Sequence, residues 1–269
     1  PALARTRAAA AILDTVGVTL AGAAESPSRI VQQVVGEEGG DACCVFGTHA
    51  RASASGAALA NGTAAHALDY DDMCFVSLAH PSAPLVAALL SAAELARASG
   101  RAVLDAYVVA FELEARLGRI MNPRHYRRGW HCTSTLGTIG AAAAVSRLLG
   151  LDAAAAGHAL AIAASEASGL KVNFGTMVKP LHAGLAARNG VLAALLAKRG
   201  MSASERALDG PQGFLVAMDS QHATLGHEAA DLGTRWEILD TGITVKLYPS
   251  CSGTHPSLEL AARETRVQE

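Results

Sequence analysis

The sequence predicts a mostly α-helical protein: a large all-helical domain over residues 1–240, then, from 241 to 269, the beginning of a smaller α/β domain. Three observations predict it. Of the 269 residues, 51% are hydrophobic but only 4% aromatic, so the apolar content is Ala, Leu and Val, a composition suited to closely packed helices. Apolar residues recur at helical spacing, between cap residues, as far as Gly200. Beyond it, in "RWEILDTGITVKLYPSC", Ile243, Val245 and Leu247 alternate with Thr244, Lys246 and Tyr248, which is the period of a strand.

The elements follow in order. Residues 3–22 read as a helix closing near Gly22, and 28–36 as a short second one. The first stretch, basic and then apolar, faintly resembles a secretory leader, but Asp14 interrupts it; it reads as an amphipathic core helix of a chain whose beginning lies upstream. "ACCVFG" (42–47) is strand-like, and "ARASASGAALANGTAAHALDY" returns to helical spacing. A helix over 82–99 has Ser82 at its start, Pro84 in its first turn and Gly100 at its stop. The next, 103–120, carries Asp105 early and Arg116 and Arg119 late, matching the helix dipole. Further helices start at Thr133 or Ser134, at Asp152 and near Pro180. No repeat of fixed period is present.

A formal net charge of −2, with no basic run, predicts neither nucleic acid nor anionic membrane as partner. Arg147, Asp152 and Glu94 break the longest apolar stretches, short of the ~20 residues a membrane span needs. Five cysteines form no CxxC pair, which argues against a disulfide scaffold or structural zinc and fits a reducing cytoplasm. GxSxG, HExxH and phosphate-cradling glycine loops are absent.

Against this apolar background, "ANGTAAHALDYDDM" (60–73) crowds His66, Asp69, Asp71 and Asp72. If helical, it puts His66, Asp69 and Asp72 on one face at i, i+3 and i+6. The alternatives are a solvated helix end, a metal cluster (disfavoured by the missing ligand spacings, so no metal is expected) and a working carboxylate–histidine group. Basic or titratable residues also fall at predicted helix starts: His80, His131, Lys179 with His182, and Lys246. Helix N-termini favour anions, so several converging ends would form a receptor for a di- or tricarboxylate. Carboxylate, histidine and lysine together are what proton removal next to a carboxylate requires. For His80, a helix dipole and Asp69 are expected to offset each other and leave its pKa near neutrality.

Several blocks carry a family resemblance: "NGTAAHALDYDD", "HPSAPLVAALL", "GWHCTSTLGTIGAAAAVSRLLGL", "FGTMVKPLHAGLAARNGVLAALLA", "GPQGF" and "VKLYPSCSGTH". In order from about residue 10 to 256, they resemble the MmgE/PrpD family, which includes 2-methylcitrate dehydratase, cis-aconitate decarboxylase and an iminodisuccinate epimerase. The resemblance implies a helical domain joined to an α/β lid domain, incomplete here, and a homodimer. It implies cofactor-free and metal-free chemistry on small polycarboxylates. It points to Asp69, His80, His131, Lys179 and Lys246 as catalytic residues, with His182, Tyr248 and Ser252 beside the substrate. Met73 stands where decarboxylase-like members carry Thr, which counts against that activity.

The expected function is therefore a dehydratase-like lyase, in which His80, oriented by Asp69, exchanges the proton next to a carboxylate. The alternatives are an epimerase or decarboxylase on the same residues. A contrasting class, a non-catalytic helical dimerisation module, would leave His80, His131 and Lys179 scattered over the surface. Apolar, small-residue helix faces also favour a homodimer burying more than about 2,000 Å².

Overall fold

The structure is a computed structural model that describes residues 1–267. It is mostly helical, as the composition predicts. In chain order the helices are α1 (Ala2–Gly22), α2 (Ser26–Glu38), α3 (Ala54–His66), α4 (Ser82–Ala96), α5 (Gly100–Met121), α6 (Arg124–Arg128), α7 (Cys132–Leu148), α8 (Ala153–Glu166) and α9 (Val178–Lys198). The short α10 (Phe214–Ala217) and α11 (Gly226–Ala230) follow, and α12 (His255–Val267) comes last. The strand-like run after α2 contributes β1 (Cys43–Cys44), paired antiparallel with β2 (Arg51–Ala52).

Side-chain caps set several boundaries. Ser53 accepts a hydrogen bond from the Gly56 amide (3.1 Å), Ser99 from Ala102 (3.3 Å) and Asp152 from Ala155 (2.8 Å). Such a cap is worth about 1 kcal/mol. The Ser99 cap changes one expected boundary. Gly100 opens α5 instead of stopping α4, which closes at Ala96 with Arg97 in the left-handed region.

Three Ala- and Gly-rich helices, α3, α7 and α9, make the centre. Every residue of α3 except Ser55 is buried, and α7 is buried from Cys132 to Ser146. Their backbones meet at glycines. A Cβ on Gly184 of α9 would stand 2.4 Å from the Leu59 carbonyl oxygen of α3, and one on Gly190 would stand 2.4 Å from the Ala141 Cβ of α7. This packing brings the end of α3 and the starts of α4, α7 and α9 to one side of the core, where they wall a common cavity. The first helix buries the stripe Ala4, Ala8, Ala11, Thr15, Val18 and Gly22, as an amphipathic core helix should, while Leu3, Leu13 and Leu20 stay exposed. Among the described residues, no single helix is long and apolar enough to cross a membrane.

The strand expected around 243–248 does not form. Among the described residues that segment makes one isolated antiparallel bridge, Thr244 to Met73, with N–H···O distances of 2.9 and 2.8 Å. Alternation alone makes no strand without a neighbouring edge to extend the ladder. The segment after it turns through a 3₁₀ turn (Ser252–Thr254) into α12.

Candidate active site

The acidic stretch leaves the helix before its carboxylates. After His66, α3 ends; Asp69 takes a left-handed backbone (φ 49°), a region Asp tolerates better than most residues. His66, Asp69 and Asp72 therefore do not share a helix face, and the expected i, i+3, i+6 arrangement is replaced by a turn. Asp71 and Asp72 are fully buried, which also excludes a solvated helix end.

Each carboxylate has its own partners. Asp72 Oδ1 accepts from the Ser82 backbone N–H (3.1 Å), and its Oδ2 accepts from the Ser82 hydroxyl. Asp72 thus caps α4, whose own N-cap, Pro81, offers no side-chain acceptor. Burial pushes the Asp72 carboxyl up to about 7 against those two bonds, with Asp71 and Asp14 adding to the rise. Asp71 Oδ2 lies 2.7 Å from His66 Nδ1 and 3.5 Å from His80 Nδ1. Burial opposes its charge, but His66 and His80 hold the carboxyl below the usual range.

Asp69 is the centre of the cationic group. Its Oδ1 is 2.9 Å from Lys179 Nζ and 2.8 Å from Lys246 Nζ, and its backbone oxygen accepts from Lys246 at 2.6 Å. Burial raises the Asp69 carboxyl, yet Lys179, Lys246 and His80 outweigh it and hold it well below the ordinary carboxylate range. Lys246 arrives through the Met73–Thr244 bridge, two residues before it, and its side chain is fully buried. It does not open a helix, contrary to the sequence expectation, since α12 begins only at His255.

His80 and His131 stand where the sequence puts them, just before α4 and at the N-cap of α7, and Lys179 lies in the first turn of α9. These three, with His66 and Asp69, line one cavity of about 670 Å³ whose other wall includes Met73, Phe75 and Phe174. They are not scattered over the surface, as the non-catalytic reading required. His182 sits behind His131, Nδ1 to Nδ1 at 3.0 Å. Ser252 reaches the cavity, and its buried Oγ has no hydrogen-bond partner. The Tyr248 hydroxyl instead donates to Glu259 Oε1 on α12 at 2.8 Å.

The electrostatics correct a second expectation. His80 is not balanced near neutrality: burial lowers its pKa to about 3, more than Asp71 raises it, and His66, Lys246 and Lys179 add to the fall. Asp69 is 3.8 Å from His80 Nε2, whereas Asp71 is nearer, at its Nδ1. The carboxylate nearer to His80 is thus Asp71 and not Asp69, although His80 Nδ1 makes no hydrogen bond to it. Burial and the neighbouring His66 and His182 also hold the His131 pKa down. The free site therefore presents His80 and His131 as neutral imidazoles near Asp69, Asp71 and Lys179.

His66, Asp69, Asp71 and His80 offer ligand atoms within 4.8 Å of one another. Two ammonium groups already sit on the Asp69 oxygen, which makes that oxygen a poor ligand for a further cation. Sequence reasoning singled out the motif but named neither Asp71 nor His66 among the catalytic or substrate-binding residues. Their only signal was proximity in the motif, since it is the turn at Asp69 that folds Asp71 back onto His66.

A family model for the MmgE/PrpD N-terminal domain matches residues 1–225. The cis-aconitate decarboxylase of Homo sapiens is 34% identical over 211 residues, covering 77% of this chain and 43% of that protein. The cis-aconitate decarboxylase of Aspergillus terreus is 31% identical over 267 residues, covering 94% of this chain and 54% of that protein. A cis-aconitate decarboxylase-like protein of Aspergillus oryzae is 34% identical over 232 residues, covering 81% of this chain and 48% of that protein. The chain spans about half the length of the curated relatives it matches.

Proposed function

The chain belongs to the MmgE/PrpD family, and from that premise we propose that it carries the helical half of a lyase acting next to a carboxylate in a small di- or tricarboxylate. The observation that carries this is the Asp69 carboxylate bridged by Lys179 and Lys246 in a cavity that also holds His80 and His131. An incoming carboxylate competes with Asp69 for Lys179, the more exposed of the two ammonium groups. His80, neutral in the free protein, is ready to accept a proton. Binding a polyanion raises its affinity for that proton, as does Asp71 at its other nitrogen. Lys179 and His131, which line the cavity, then stabilise the extra charge that develops on the substrate carboxylate when the neighbouring C–H bond breaks, while the buried Lys246 holds Asp69 in place.

Dehydration uses these parts directly: the proton goes to His80 and the hydroxyl leaves from the adjacent carbon. Decarboxylation is the second reading, favoured by the names of the relatives. Epimerisation would use the same first step. Incubating the protein with 2-methylcitrate, cis-aconitate and iminodisuccinate, and following products by NMR, separates water loss, CO₂ loss and inversion. Conversion of none of them overturns the proposal. Lys179→Ala is expected to raise KM strongly, because it removes carboxylate binding. We also propose a homodimer, supported by the exposed Leu13, Leu20, Ile30 and Val34 of α1 and α2. A monomer in sedimentation equilibrium at micromolar concentration would contradict it.

A further inference from the structure

Building on that reading, we propose that His66 is a second proton-transfer residue of the same cavity, paired with His80 through the shared carboxylate of Asp71. One oxygen of this buried carboxylate, Oδ2, faces both imidazoles, at 2.7 Å from His66 Nδ1 and 3.5 Å from His80 Nδ1. The side chains of Asp71 and His66 have no solvent exposure, so water does not compete for that oxygen. The carboxylate holds the His66 ring with a proton on Nδ1, whereas at His80 Nδ1, 3.5 Å away and without a hydrogen-bond partner, it makes an electrostatic contact only.

Both rings line the cavity, with centroids 4.7 Å apart and planes at 64°. Their free nitrogens meet different surroundings. His80 Nε2 is 3.8 Å from Asp69 and hence beside Lys179, the lysine that would hold a substrate carboxylate. His66 Nε2 is buried with no hydrogen-bond partner. Buried polar atoms are almost always paired, and the cavity is where a partner for this one would enter.

Two histidines on one carboxylate divide a reaction that needs one proton taken and one given. In the active form a single additional proton sits on His66 Nε2. For dehydration, His80 Nε2 takes the proton from the carbon next to the held carboxylate. The C–H electron pair becomes the new C=C bond, the C–O bond breaks, and the departing hydroxyl takes the proton from His66 Nε2 to leave as water. The pair ends with its additional proton on His80, and exchange with solvent returns it to His66. In decarboxylation the His66 proton would go instead to the carbon that loses CO₂.

Two measurements test this. Histidine ¹⁵N–¹H spectra at pH 8 should show His66 protonated on Nδ1, and Asp71→Asn should release that ring toward the Nε2–H form. An Nε2–H tautomer of His66 in the wild type, or an unchanged His66 ring in the variant, overturns the link between His66 and Asp71 whether or not turnover is seen. The second measurement follows deuterium entry from D₂O into the methylene positions of 2-methylcitrate and cis-aconitate, alongside net turnover. His66→Gln should lower turnover about 100-fold or more while exchange falls less than about 5-fold, because His80 still takes the proton. Turnover within about 5-fold of wild type in His66→Gln overturns the role of His66 and leaves that of His80 standing. Undiminished exchange in His80→Ala, or no exchange in the wild type, overturns the functional reading instead, and the His66 tautomer then decides its link to Asp71 by itself.

Discussion

Replacing Asp69 by Asn tests the electrostatic keystone of the site. The change preserves shape but leaves the ammonium groups of Lys179 and Lys246, now 2.9 and 2.8 Å from a carboxylate oxygen, beside a neutral amide. Removing one partner of a fully buried ion pair costs about 3–5 kcal/mol. Asp69 is 27% exposed, and Lys246 keeps the bond to the Asp69 backbone oxygen, so the cost here falls to about 2 kcal/mol. Urea unfolding at pH 7 should show a lower midpoint with an unchanged slope. The sign of the pH dependence follows from a folded-state carboxyl held below its unfolded value. The wild-type advantage is complete above the unfolded carboxylate pKa of about 3.9 and disappears as pH falls through the folded value. Lys179→Met in the Asp69→Asn background should recover part of the loss, since it removes a charge left without its partner. A loss under about 0.5 kcal/mol at pH 7, or an advantage that grows in acid, would refute the reasoning.

Gly184→Ala should destabilise by about 1–3 kcal/mol, because its Cβ would stand 2.4 Å from the Leu59 carbonyl oxygen and force α9 off α3; an unchanged Tm would show that the helices can part freely. Glu114 is fully buried with both carboxyl oxygens unpaired, and burial, then Asp72, raises its pKa well above the ordinary value. Glu114→Met should therefore stabilise by about 1–3 kcal/mol at pH 8 and by less at pH 4, since the burial cost appears only above the unfolded carboxyl pKa; a variant less stable at pH 8 contradicts this. His80 has its pKa lowered from 6.5 to about 3, so the unfolded chain takes up that proton first and wild-type stability falls as pH drops through this window. The stability of His80→Gln relative to wild type should accordingly rise between pH 6.5 and 4, and a flat difference would mean that His80 is solvated.

Much of the fold was legible because Ala- and Leu-rich helices announce themselves by period and by caps, as Asp152 does ahead of α8. Gly100 misled because a capping serine directly before it outranked glycine as a stop signal. The run from Ile243 to Tyr248 misled because strand formation depends on a neighbour, which periodicity does not report. Within the site, His80, His131 and Lys179 could be placed from their helix starts. The approach of Lys246 to Asp69 is a contact between distant parts of the chain, and only the family resemblance pointed to it. The partnership of Asp71 with His66 depends on one left-handed residue, Asp69, for which the sequence carries no periodic signal. The low pKa of His80 comes chiefly from burial, and burial of a polar side chain is set by packing that no local pattern encodes.

The central claim is that His80 moves the proton in a cavity built to hold a polycarboxylate. Its most direct measurement is kcat of the protein carrying His80→Ala against wild type, on whichever of 2-methylcitrate, cis-aconitate and iminodisuccinate the wild type converts. A positioned acid–base group contributes about 10²–10⁴-fold, so the account predicts a fall in kcat of at least about 100-fold, with the fold intact by circular dichroism. Turnover near the wild-type rate in His80→Ala would contradict it.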